Sequence, residues 1–145
     1  MVLDIIALLK CAVQGTSSKE QGKSVSVKPT QGETVLLFRS DSAEFRQCIG
    51  ALQDSIACDI MVFYHSSQKT VICFVELKGR DVADGYEQLE TTYKQFRQVL
   101  GDTAKNIVWC GVVRTSSSPP KPPKKRYELH IQTSGNSDIG DILRK

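Results

Sequence analysis

"CDIMVFYHSSQKTVICFVELKG", residues 58–79, decides how this chain folds. Two apolar runs flank the polar "HSSQK" at 65–69, the pattern of an antiparallel hairpin with Ser67 and Gln68 as its central turn residues. That turn sets the register, which places Asp59 opposite Glu76. Side chains alternate along a strand, so Met61 and Phe63 share the face of Asp59, while Ile72, Phe74 and Lys78 share that of Glu76. The other face carries Ile60, Val62, Tyr64, Val71, Cys73, Val75 and Leu77. A hairpin apolar on both sides belongs at the centre of a sheet covered on both faces. Asp59, Glu76 and Lys78 thus gather at one end of one face, in strands that are otherwise apolar.

Carboxylates directly opposite each other repel and destabilise a sheet unless something compensates. A divalent cation does so. Oxygen ligands from Asp59 and Glu76, completed by the Leu77 backbone carbonyl and by waters, suit Mg2+ or Mn2+. Lys78 then stands beside the metal-bound water or a phosphate. The plainer alternative is a structural carboxylate–lysine pair flanking a strand end.

On the C-terminal side, Asp81 reads as a helix N-cap, and Val82, Tyr86, Leu89, Tyr93, Phe96 and Leu100 form an apolar stripe that Gly101 ends. "NIVWCGVVRT" (106–115) reads as a buried strand with Trp109 in the core, and "RYELHIQTS" (126–134) as a strand nearer an edge. Between them, "SSSPPKPPKKR" (116–126) holds four of the five prolines and four basic residues, an extended loop that projects Lys121, Lys124, Lys125 and Arg126 toward phosphates or simply keeps itself solvated. The tail "SDIGDILRK" (137–145) predicts a short helix capped by Ser137 or Asp138. On the N-terminal side, residues 2–13 have helical spacing, "GTSSKEQGK" (15–23) reads as a loop, and "KSVSVKP" with "ETVLLFRS" suggests a second hairpin. "SDSAEFRQCIGALQDSIA" (40–57) sets Phe45, Cys48, Ile49, Leu52 and Ile56 at helical spacing, although Phe45 to Ile49 also reads as a strand.

Asp59 at the start of one strand, Glu76-Leu77-Lys78 at the end of the next, and a helix after them resemble the PD-(D/E)XK nuclease superfamily, with its restriction-endonuclease-like fold. The resemblance covers roughly residues 41–113. It implies that Asp59 and Glu76 bind magnesium and that Lys78 orients or activates the attacking water. A glutamine on the following helix, near the active site in many members, falls on Gln88 in "YEQLETTY", with Tyr93 nearby. As a neighbour of Leu89 in the stripe, Gln88 reads equally as a solvated flank. A further acidic ligand, supplied in some members by a preceding helix, falls on Glu44. The residue before the aspartate is Cys58 where the family's motif has proline. The implied function is magnesium-dependent hydrolysis of phosphodiester bonds, most naturally in DNA, often by a homodimer that cuts two strands. A nuclease-like fold without catalysis, serving as a nucleic-acid or protein interaction module, is the alternative.

The bulk composition agrees with this frame without demanding it. A chain of 145 residues, 40% apolar and 24% charged, fits one α/β (α+β) domain, a central mixed sheet flanked by helices, with an N-terminal helix and hairpin over 1–40. A net charge of +3 is too small to identify a nucleic-acid partner by itself. Five cysteines without CxxC or Cys/His spacing argue against a disulfide framework or structural zinc. His65, in a turn, and His130, near an edge, lack partners in sequence. The apolar "MVLDIIALLKCAV" carries Asp4, has no basic flank and is too short to span a bilayer, so no membrane association and a cytoplasmic location are expected.

Overall fold

The computed structural model describes residues 11–13, 15, 17–20, 23–48, 58–77, 81–115 and 121–145. In chain order these form β1 (Ser17–Glu20), β2 (Lys23–Ser26), β3 (Thr34–Phe38), α1 (Ala43–Cys48), β4 (Ile60–His65), β5 (Thr70–Leu77), α2 (Val82–Leu100), a 3-10 turn (Gly101–Asn106), β6 (Ile107–Arg114), β7 (His130–Ser134) and α3 (Gly140–Arg144). The chain is of α/β class. A five-stranded mixed sheet runs β3-β4-β5-β6-β7, antiparallel up to β5 and parallel beyond it, and β1 pairs separately with β2.

The β4–β5 hairpin has the register that its turn demands, from His65 opposite Thr70 to Ile60 opposite Val75. Both of its faces are buried. Ile60, Val62, Tyr64, Val71, Cys73, Val75 and Leu77 pack with Val25, Val27, Ile139 and Leu143 on one side. Met61, Ile72 and Phe74 face α2 on the other, within an aromatic cluster in which the Phe74 ring lies 5.7 Å from Phe96 and 6.0 Å from Trp109. Trp109 is thus a core residue of the α2 face. Helix α2 starts where the Asp81 carboxylate accepts the Asp84 N–H at 3.0 Å and stops at Gly101, whose φ of 56° suits glycine. Gly111 in β6 marks the closest approach of helix to sheet, because a Cβ there would lie 3.2 Å from Leu89 and 3.0 Å from Leu129.

Three expectations give way. The segment read as a loop contains β1, and β2 does not pair with β3 as a hairpin. Instead Ser26 N–H donates to Ser137 O at 2.7 Å and Ile139 N–H to Ser26 O at 3.0 Å. Val25 and Val27 gain a fully buried site against the C-terminal segment, while β3 takes β4 as partner. Of the helix expected over 2–13, residues 1–10 lie outside the described residues, and its end is extended, with Val13 N–H donating to Leu37 O at 2.7 Å along β3. The helix expected within 40–57 is present as α1, with residues 49–57 outside the described set. Helix α3 begins after Ile139, with the Asp138 carboxylate accepting Gly140 N–H at 2.9 Å.

Helix α3 is docked by one ion pair. Arg144 donates from Nε to Glu33 Oε2 and from Nη2 to Glu33 Oε1, both at 3.0 Å, while Glu33 also accepts Thr30 N–H and the Tyr64 hydroxyl. These donors, Arg144 foremost, hold the Glu33 carboxyl well below the usual carboxylate range. A depressed folded-state pKa contributes stability above the unfolded value that is lost as pH falls through and below it. Chemical denaturation from about pH 6 down to about pH 3 should therefore show the advantage of wild type over Glu33→Gln shrinking as the pH drops. A constant difference across that window would exclude the linkage.

Candidate active site

The β4–β5 ladder ends one pair short of the level of Asp59 and Glu76, since Ile60 and Val75 are its last partners. Asp59 occupies a bend just outside β4. Its N–H donates to Val75 O at 3.1 Å, and its Oδ2 accepts the Leu77 N–H at 2.7 Å. A side-chain oxygen thus takes the place of a backbone acceptor at the end of β5.

Glu76 lies in β5 on the α2 face, between Phe74 and the strand end, with only 4% of its surface exposed. The neighbouring Cys58 feels the charge of both acids. Its thiol is fully buried and pushed up to about 12, first by burial and further by the charges of Glu76 and Asp59, with the Ser40 and Thr92 hydroxyls opposing. Ser40 Oγ is 3.0 Å from Cys58 Sγ and donates to Cys58 O at 2.9 Å. Both carboxylates thus lie within electrostatic reach of one enclosed thiol. Cys58 is itself a protonated packing residue.

A further acid that sequence reasoning missed, Asp41, lies within electrostatic reach of Asp59. The Asp41 carboxyl is raised, chiefly by burial and then by the charge of Asp59, with Arg39 and Arg46 opposing. In "SDSAEF" the two acceptors Asp41 and Ser42 both suit the start of α1, and it is Ser42 Oγ that accepts the Phe45 N–H, at 3.2 Å. Ser42, not Asp41, thus caps the first turn of α1. Glu44 faces solvent on α1 and its charge acts on Cys11, so of the two it is Asp41 that senses the site.

Gln88 is half-buried on α2, donating from Nε2 to Asp84 Oδ2 at 3.1 Å. One turn on, Thr92 Oγ donates to Gln88 O at 2.8 Å and bonds the Cys58 thiol. Positions 88 and 92 lie on one face of the helix, so Gln88 belongs to the stripe that packs over Cys58. Tyr93 points elsewhere, stacking edge-on to Trp109 at 5.5 Å. Lys78 lies outside the described residues.

Lys121, Lys124, Lys125 and Arg126 are all exposed. Lys125 Nζ bonds Glu87 Oε1 at 2.8 Å and sits 5.4 Å above the Tyr127 ring, whose hydroxyl donates to the same Glu87 oxygen at 3.0 Å. Lys125 and Tyr127 hold the Glu87 carboxyl below its ordinary range. Next to it, the buried Glu90 accepts the N–H groups of Glu128 and Leu129 at 3.1 and 3.2 Å, fastening the chain ahead of β7 onto α2.

Asp59, Glu76 and the Leu77 carbonyl make an oxygen set of the kind that magnesium shares with water. Among the described residues, no group of three or more His, Cys, Asp and Glu is placed to hold a metal ion. Nor is any described helix long and apolar enough to cross a membrane. Comparison with known proteins finds no matching family model, no matching curated protein and no matching solved structure.

The coupling between Asp41 and Asp59 is open to direct measurement. Following the Asp41 carboxyl by NMR titration should give a lower midpoint in Asp59→Asn than in wild type, because a like charge has been removed. An unchanged midpoint would separate the two acids.

Proposed function

We propose that this protein is a magnesium-dependent nuclease, with manganese as the substitute ion, that hydrolyses phosphodiester bonds in DNA on a restriction-endonuclease-like core. The observation that carries the reading is the placement of two acids at one end of the central hairpin, Glu76 buried in β5 and Asp59 tied by its Oδ2 to the Leu77 N–H at 2.7 Å. A buried carboxylate with a second acid at the same strand end offers the oxygen ligands that a hard divalent cation prefers.

Asp59 and Glu76 would hold the ion through their carboxylates and Leu77 through its carbonyl. Magnesium bound there supplies a water of lowered pKa and stabilises charge on the transferring phosphoryl group. Lys78, two residues after Glu76 in sequence, neutralises the phosphate and guides the proton of the attacking water. Gln88, on the helix stripe over Cys58, orients that water. The lysines and the arginine of the 121–126 loop bind the phosphates flanking the cleaved bond.

Purified protein should cut DNA with Mg2+ and not with EDTA, and Asp59→Asn or Glu76→Gln should lower the rate about 100-fold or more with the fold intact by circular dichroism. Undiminished Mg2+-dependent cleavage by both variants overturns the assignment. DNA binding without cleavage by the wild type would instead identify a non-catalytic interaction module.

A further inference from the structure

We infer that the cleft between the 121–127 loop and the edge strand β7 is a stacking site for an unpaired nucleobase of single-stranded nucleic acid. The cleft has a volume of about 370 Å³ and is lined by Tyr86, Pro122, Lys125, Tyr127, His130 and Thr133, among others. This inference rests on the nuclease reading and deepens it by naming the form of the substrate.

Its place in the sheet is set by register. Glu76 pairs with Val113, and Val113 with Thr133, across the parallel strands β5, β6 and β7. Aligned residues in neighbouring strands share a face, so Thr133 lies on the α2 side in the same row as Glu76, two strands or about 10 Å away. That distance equals about three nucleotides at the ~3.4 Å duplex rise, and fewer in an extended strand. A strand whose phosphate sits at Asp59 and Glu76, running toward β7, lays a neighbouring nucleotide in the cleft.

The chemistry of the walls suits such an occupant. Tyr127, half-buried, gives the cleft an aromatic wall, backed by the buried Tyr86 ring 5.5 Å away and with the Lys125 ammonium 5.4 Å above the Tyr127 ring. The loop brings four cations, of which Lys125 bonds Glu87, and Lys121, Lys124 and Arg126 are exposed beside it. β7 is the terminal strand of its sheet, and an edge strand offers outward N–H and C=O groups to base edges. The hold of Glu87 on Tyr127 and of Glu90 on Glu128 and Leu129 keeps this wall in place before anything binds. A base within a duplex has both faces covered by its neighbours, so an unpaired base alone can stack on the Tyr127 ring, taking the place of the Lys125 ammonium, which swings to a phosphate.

The test is anisotropy of a fluorescent dT12 and of a 12-base-pair duplex in low-salt buffer without divalent ions, where cleavage does not intervene. Wild type should bind the single strand more tightly than the duplex. Tyr127→Ala should weaken single-strand binding about 5- to 100-fold, and Tyr127→Phe, which keeps the ring and loses the bond to Glu87, should retain most of it. Thr133→Trp, which fills the cleft and leaves Tyr127 in place, should reproduce the loss and guards against a misfolded alanine variant. Equal affinity for duplex and single strand, or both cleft variants binding like wild type, overturns the proposal. Loss of single-strand binding in these variants upholds the cleft even if no Mg2+-dependent cleavage is found. Cleavage sensitive to Glu76→Gln together with silent cleft variants sinks the cleft and leaves the nuclease reading standing.

Discussion

The bond from Leu77 N–H to the Asp59 carboxylate is the constraint on which the site depends. An antiparallel ladder consumes backbone donors in pairs, and at its last rung a donor is left without a strand partner. Asp59 fills that vacancy with a side-chain oxygen, which ends β4, closes β5 and anchors one carboxylate beside Glu76. The acid is therefore a structural element of the strand end before any other role is asked of it. Its position is dictated by the turn eight residues away, because a slip of one residue in the hairpin exchanges every side chain between faces.

Helix α2 joins the two functional surfaces. Its Thr92 bonds the Cys58 thiol, while Tyr86, Glu87 and Glu90 reach the chain before β7. Both sets lie on one face of the sheet, and the other face is given over to packing, where Val25, Val27, Ile139 and Leu143 close the core. The division follows from alternation along β5: Cys73, Val75 and Leu77 point one way, and Ile72, Phe74 and Glu76 the other.

What could be read from the chain alone was what is local. A two-residue turn between matched apolar runs carries its own register, and Asp81 and Gly101 bracket α2 with recognisable end chemistry. The partnership of β2 with the C-terminal segment escaped because Ser26 and Ser137 stand 111 residues apart and neither short segment announces its neighbour. Asp41 escaped for a different reason: two adjacent residues compete for one cap, and only the folded backbone shows that Ser42 takes it. Glu44 was placed on the right helix, but on its solvent side. The basic loop was evident as composition, whereas its attachment to α2 through Glu87 and Glu90 relies on contacts 38 to 40 residues distant in sequence.

Gly111 carries a mechanical consequence. Leu89 from the helix, Leu129 from the approach to β7 and Ile131 from β7 itself converge above its bare α-carbon, within 3.0 to 3.2 Å of where a methyl would stand. A single hydrogen is thus the spacer between three layers. Lifting that point by a few tenths of an ångström would tilt the helix bearing Gln88 and the wall bearing Tyr127 together, so the acids and the cleft cannot drift independently; they are surveyed from one benchmark.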